Sequence, residues 1–174
     1  MAKKRAPRKT PSKDERYMGL AFWHASFSKD PDTQVGSVIV NSDNVPMGTG
    51  YNGPPRGVRD TDVDWSRPNK YDFIIHAEEN ALDHCPWRPK GATLYVTAIP
   101  CKRCMNRIVQ HGISKVIYFP FQADRYSSIT EEEIEITKQI ARNATPMVTL
   151  EKFEGNINWI RDRIITMEKI GIFS

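Results

Sequence analysis

This sequence has little material for disulfide chemistry. Three cysteines in 174 residues cannot build a disulfide framework. Two of them form a Cys-x-x-Cys pair suited to a metal, so a reducing compartment, the cytoplasm, is expected. Long apolar runs are missing too. No stretch approaches the roughly 18 residues of a membrane helix, and the N-terminus has no apolar signal region. One-sided charge is scarce outside the first residues. The formal net charge is +4, and Lys3, Lys4, Arg5, Arg8 and Lys9 account for it. The near-neutral body that remains argues against a long nucleic-acid groove. There is no internal repeat and no low-complexity segment beyond this tail. What is present, 39% apolar and 26% charged residues, suits one globular domain with a normal core. Residues 1–11 read as a disordered, solubilising basic arm, with nucleic-acid contact as the alternative, and residues 12–174 as a single domain.

Local signals divide the domain. Ser12-Lys-Asp-Glu15 is a capping box, so a helix begins there and is expected to run to about Lys29, ahead of Pro31. Tyr17, Leu20, Ala21, His24 and Phe27 or Ser28 share one face, which makes His24 a packed histidine. Gln34 to Val40 is a β-branched run, Asn41 to Asn44 is turn chemistry, and Val45 to Tyr51 is the returning strand. A glycine- and proline-rich stretch, Gly50 to Gly57, opens a loop to about Lys70, in which Trp65 and Tyr71 suggest packing. Further on, the pattern predicts a helix from Ile75 to Asp83, a strand from Ala92 to Ala98, a helix from Cys101 to His111 stopped by Gly112, and a strand from Lys115 to Phe119. A second capping box, Thr130-Glu-Glu-Glu133, starts a helix to Arg142. Met147 to Phe153 is a fifth strand, and Asn156 to Lys169 a closing helix with Ile157, Ile160, Ile164 and Met167 on one face. This alternation implies an α/β fold, a five-stranded mixed sheet covered by helices on both faces.

Chemistry concentrates in His76-Ala-Glu78 and Pro100-Cys101-Lys-Arg-Cys104. Zinc takes a neutral imidazole and two thiolates, and three protein ligands leave a fourth position for water. Such a metal lowers the pKa of that water to about 7. Glu78, two residues from the imidazole, is placed to move the water's proton. Cys101 and Cys104 are three apart and so share a helix face, Pro100 suits a helix start, and a helix N-terminus stabilises thiolates. His-x-Glu followed by Pro-Cys-x-x-Cys is the signature of zinc-dependent nucleobase deaminases. The competing reading is a structural zinc site, which needs a fourth ligand, for which His84 and Cys85 are candidates.

With these residues placed, the sequence resembles the deoxycytidylate (dCMP) deaminases of the cytidine deaminase superfamily. The likeness runs from about Lys29 to Tyr126. It is carried by Lys29-Asp-Pro-Asp-Thr-Gln-Val-Gly36, Gly50-Tyr-Asn-Gly-Pro-Pro-Arg-Gly57, His76-Ala-Glu-Glu-Asn-Ala81 and Pro100-Cys-Lys-Arg-Cys104. The resemblance implies a three-layer α/β/α cytidine-deaminase-like fold. It also implies that His76, Cys101 and Cys104 bind one zinc ion, that Glu78 shuttles protons, and that dCMP is hydrolysed to dUMP and ammonia, supplying dUMP for dTMP synthesis. Asn52 matches a sugar-contacting position and the Ala77 backbone one that lines the base pocket. Tyr126, with Arg125 or Lys29, would hold the 5′-phosphate. Family members are often hexamers activated by dCTP and inhibited by dTTP, with Mg2+. The effector lies near the loop that is Asn52, Gly53, Pro55 and Gly57 here.

Three departures from the family pattern stand out. Glu79 occupies a position that is usually apolar, which is odd near an anionic substrate unless it points outward. The cysteine-rich N-terminal part that builds a second zinc site in some members is missing. The chain from about Glu154 onward is longer than expected and could cover a subunit contact or alter which nucleotide fits. A modified dCMP or dCTP therefore stays open as substrate, as does polynucleotide editing of RNA or single-stranded DNA. Membrane association is not expected.

Overall fold

The computed structural model describes residues 6–7, 9–120, 129–159 and 162. Helix α1 (Lys13–Ala25) begins as its capping box requires. The Ser12 hydroxyl accepts from the Glu15 N–H at 3.2 Å, and the Glu15 carboxylate accepts from the Ser12 N–H at 2.8 Å. Such a cap is worth about 1 kcal/mol. The helix stops at Ala25, before the expected Lys29. Phe27 and Ser28 donate to the carbonyls three residues back, His24 and Ala25, and this tightening turns the chain away from the helix axis. The buried stripe is Tyr17, Met18, Ala21 and Ala25; of the two residues expected to end it, Phe27 is exposed and Ser28 half-buried.

The sheet has five strands, β1 (Gly36–Val40), β2 (Pro46–Tyr51), β3 (Thr93–Val96), β4 (Lys115–Tyr118) and β5 (Thr149–Lys152), in the order β2-β1-β3-β4-β5. Strand β1 runs antiparallel to both β2 and β3, while β3, β4 and β5 are parallel. The β1–β2 turn is built by Asn41, whose Oδ1 accepts from the Asp43 and Val45 N–H groups, and Asn44 takes the left-handed conformation that asparagine tolerates. Parallel neighbours need crossovers, and α3 (Lys102–His111) and α4 (Glu131–Asn143) supply them. The expected capping box Thr130–Glu133 starts α4, and Gly112, left-handed at φ 78°, ends α3.

Strand periodicity sorts the core into two layers. Ile39, Leu94, Val96 and Val116 pack with Leu82, Met105, Ile108 and Ala141 on the face covered by α2 (Ala77–Asp83), α3 and α4. Val38, Val40, Tyr95 and Ile117 pack with Tyr17, Met18, Ala21 and Phe153 on the α1 face. Each fully buried side chain of this size contributes roughly 1.5–3 kcal/mol. The result is the expected three-layer α/β/α arrangement.

Two features of this scaffold place the site. At Gly48 and Gly50 a β-carbon would collide with the carbonyl oxygens of Ala81 and Ala77, so α2 rests directly on the β2 backbone. The long loop also closes on itself. Gly53 and Ile75 exchange main-chain hydrogen bonds of 3.1 and 2.9 Å, tying the loop's beginning to the residue before His76. Between these ends lie two 3-10 turns, Asp60–Asp62 and Asn69–Asp72. Trp65 donates to the Asp60 carbonyl at 3.0 Å, whereas Tyr71 is exposed, contrary to its expected packing. Arg125 and Tyr126 lie outside the described residues, as do residues 1–5 and 8 of the N-terminal arm and most of the closing helix; within the described part, Ile157 packs on the α1-side core.

Candidate active site

Both halves of the motif sit at helix starts. His76 is the N-cap of α2, one residue before the helix, and Cys101 is the N-cap of α3. The sequence placed Cys101 inside the helix with Pro100 at its edge. Instead Pro100 precedes the cap, which leaves the Cys101 sulfur free to accept from the Cys104 N–H at 3.5 Å. His76 Nδ1 lies 3.6 Å from Cys101 Sγ and 3.2 Å from Cys104 Sγ, and all three donor atoms fall within 4.8 Å of one another. Tetrahedral zinc bonds of about 2.3 Å to sulfur and 2.0–2.1 Å to nitrogen imply N···S separations of about 3.6 Å. The donor set thus fits zinc in number, type and spacing.

His84 and Cys85 take no part. His84 Nδ1 is 2.8 Å from the Thr49 carbonyl, and the Cys85 thiol donates to the Ala81 carbonyl at 3.3 Å. Among the described residues the cluster has three donors, which leaves a position open, as a catalytic site requires and a structural one does not.

The electrostatics follow from crowding. Its hydrogen bond to Cys101 pushes the His76 imidazole up to about 9, against the opposing effect of burial. Hydrogen bonding from Cys104, with help from His76, holds the Cys101 thiol down at about 4, while the Cys104 thiol is pushed up by its bond to Cys101 and by burial. Two helix N-termini favour negative charge at this point. Glu78, 4% exposed, sits beside the cluster, and burial raises its carboxyl to about 7. A group poised near neutrality can both take and give a proton.

The chain on either side of α2 is held in place. The Ser37 hydroxyl of β1 donates to the Ala77 carbonyl at 2.7 Å, fixing the backbone expected to line the base pocket. Asn52 is 7% exposed. Its Oδ1 accepts from Val35 N–H at 2.8 Å, and its Nδ2 donates to the Thr33 carbonyl at 2.9 Å and to Asp30 at 3.4 Å. Its amide is therefore engaged within the loop framework. Gly53 is buried in the bridge to Ile75, while Pro55 and Gly57 form an exposed turn. Lys29 is exposed and paired with Asp60.

Two groups in this framework have no signal in the motif. Lys70, 2% exposed, places its ammonium 2.7 Å from Asp30 and 2.9 Å from Asp32, and so neutralises the Asp30 carboxylate beside Asn52. Arg103 forms a two-pronged pair with Glu79, Nε to Oε1 at 3.0 Å and Nη2 to Oε2 at 2.9 Å. The odd acid thus turns toward α3. Two surface concavities of about 350 and 410 Å³ lie elsewhere, one lined by Trp87, Arg88 and His111, the other by Asp14, Lys152 and Glu154.

Residues 11–120 match the family model described as the cytidine and deoxycytidylate deaminase zinc-binding region. The chain belongs to the cytidine and deoxycytidylate deaminase family. It is a hydrolytic deaminase, and its donor cluster fits the zinc for which the region is described. Among its relatives, a deoxycytidylate deaminase of Homo sapiens is 41% identical over 124 residues, which are 67% of this chain and 68% of that one. One of Mycobacterium phage D29 is 37% identical over 122 residues, 62% of this chain and 94% of the relative. Among solved structures, a dCMP deaminase from the cyanophage S-TIM5 in complex with dCMP and dUMP superposes with a TM-score of 0.64. It is 27% identical and the match covers 84% of this chain and all of that one. No helix among the described residues is long and apolar enough to cross a membrane.

Proposed function

We propose that this deaminase hydrolyses dCMP to dUMP and ammonia, using one zinc ion held by His76, Cys101 and Cys104. The observation that carries this reading is the convergence of those three donors at two helix starts, with the buried Glu78 carboxyl beside them. The substrate rests on the likeness to the human and phage deoxycytidylate deaminases and to the cyanophage enzyme solved with dCMP and dUMP. Bound zinc would supply Lewis acidity and lower the pKa of a coordinated water toward about 7.

The rest is done by the chain. Glu78 takes a proton from the attacking water and passes protons to the cytosine ring nitrogen and the departing amine, so water and dCMP become dUMP and ammonia. Its burial excludes bulk water that would otherwise compete for these transfers. By bonding the Ala77 carbonyl, Ser37 fixes the Ala77 backbone that would line the base pocket, and Asn52 would mark the sugar side from its rigid seat. Lys29, Arg125 and Tyr126 remain the proposed phosphate contacts. Asn52, Gly53, Pro55 and Gly57 remain the proposed effector contacts for dCTP and dTTP with Mg2+. A single deaminase domain over residues 12–174, a homo-oligomer, a cytoplasmic setting and a role in supplying dUMP belong to the same reading.

The test is a panel in which the zinc-loaded protein meets dCMP, dCTP, cytidine and a cytosine-containing oligonucleotide, each with and without added effector nucleotide. Turnover of dCMP in preference to the others is expected. Preference for dCTP, or turnover of the oligonucleotide alone, would overturn the substrate assignment.

A further inference from the structure

Glu79 and Arg103 touch both carriers of the donor cluster. Glu79 lies one residue beyond Glu78 on α2, and Arg103 lies between Cys101 and Cys104 on α3. The Glu79 carboxylate accepts two hydrogen bonds from the Arg103 guanidinium and a third, at 3.3 Å, from the His76 N–H. A single buried carboxylate therefore ties the backbone of the imidazole donor to the turn that bears both thiols. Planar fork-to-fork pairing fixes direction as well as distance, which a simple point charge does not. The arrangement has a built-in control. One helical turn along, Asp83 and Arg107 join the same two helices at 2.7 Å, with both side chains substantially exposed and neither adjoining a donor residue.

We propose that the Glu79–Arg103 pair is a positioning clamp that sets how firmly the three-donor site retains its metal. The proposal rests on the reading of that cluster as a zinc site. Groups that orient metal-bearing side chains typically govern metal affinity by about 10–100-fold. Here the orientation acts on relative helix position. Without the clamp α2 and α3 can shift against each other, and the imidazole no longer meets both sulfurs at one point.

The experiment is chelator-driven zinc release from the full-length, zinc-loaded protein, followed with a chromogenic pyridylazo dye under native conditions. E79Q and R103Q are each expected to release zinc about tenfold faster than the unaltered protein. Because both break the same pair, the double variant should release it no faster than the quicker single. R103K, which keeps the charge and loses the fork, should fall between, and D83N should stay within about twofold of the unaltered protein. If E79Q fails to fold, R103Q carries the test, since that side chain is 62% exposed. Release rates of E79Q and R103Q matching the unaltered protein would overturn the clamp, as would equal acceleration by D83N, which would mark a general loosening of the helix pair. Unaltered protein that purifies folded but cannot hold stoichiometric zinc would instead defeat the underlying zinc reading.

Discussion

Two largely buried polar clusters of the molecule are completed in opposite ways. In one, His76, Cys101 and Cys104 converge with Glu78 beside them, and the group that would balance the thiolates is a metal ion supplied from outside. In the other, Asp30, Asp32 and Asn52 gather around Lys70, and the balancing cation is part of the chain. The difference separates a site from a support. A cluster that needs an external cation to be complete keeps room for chemistry, whereas one closed by its own ammonium holds in place the backbone around Asn52.

Removing a donor breaks the first cluster outright. Cys104→Ala should abolish both zinc content and turnover, measured by metal analysis and ammonia release. Removing the proton carrier instead should separate chemistry from binding. Glu78→Gln should lower kcat by about 10²–10⁴-fold with zinc content unchanged, and full activity in that variant would remove Glu78 from the mechanism.

The second cluster should answer in stability. Lys70→Ala leaves the Asp30 carboxylate, 4% exposed, without its ammonium, and should cost about 3–5 kcal/mol in denaturant unfolding while the zinc donors stay intact. A loss below about 1 kcal/mol would show that the cluster is not held by charge. The smallest effect is one of pH. Its hydrogen bond to Lys70 holds the Asp32 carboxyl below the ordinary 3.8. The stability it contributes is therefore fully present above that value and is lost as pH falls through the lowered one. Asp32→Asn should thus be less stable than the unaltered protein near neutrality, and the gap should close only at more acid pH. A gap that does not depend on pH would assign the loss to packing.

The comparison also explains what could be read in advance. The metal donors were legible because a few residues of fixed type at fixed spacing, set at helix starts, are a local pattern. So were both capping boxes. The β-branched run to Val40 announced a strand but not its faces, because β1 is buried on both sides, with Val38 and Val40 in one layer and Ile39 in the other. Lys70 was not, because its partners stand 38 and 40 residues away and nothing periodic connects them. In sequence it is one more cation at the end of a polar loop. Glu79 stands out of place in the sequence, yet nothing there points to its partner, since Arg103 between two cysteines reads as surface. The early end of α1 escaped for a related reason. Pro31 marks where a helix cannot continue, but the chain turned sooner, bringing Asp30 inward to meet Lys70.

The bare-backbone seat of α2 on β2 has an evolutionary corollary. Where main chain meets main chain through Gly48 and Gly50, the closest approach of the metal-bearing helix to the sheet is set by backbone. Those two positions are barred from gaining even a methyl group, which would fall 2.2 and 2.3 Å from the Ala81 and Ala77 oxygens. Any enlargement there would push the helix, and His76 at its start, off the sheet.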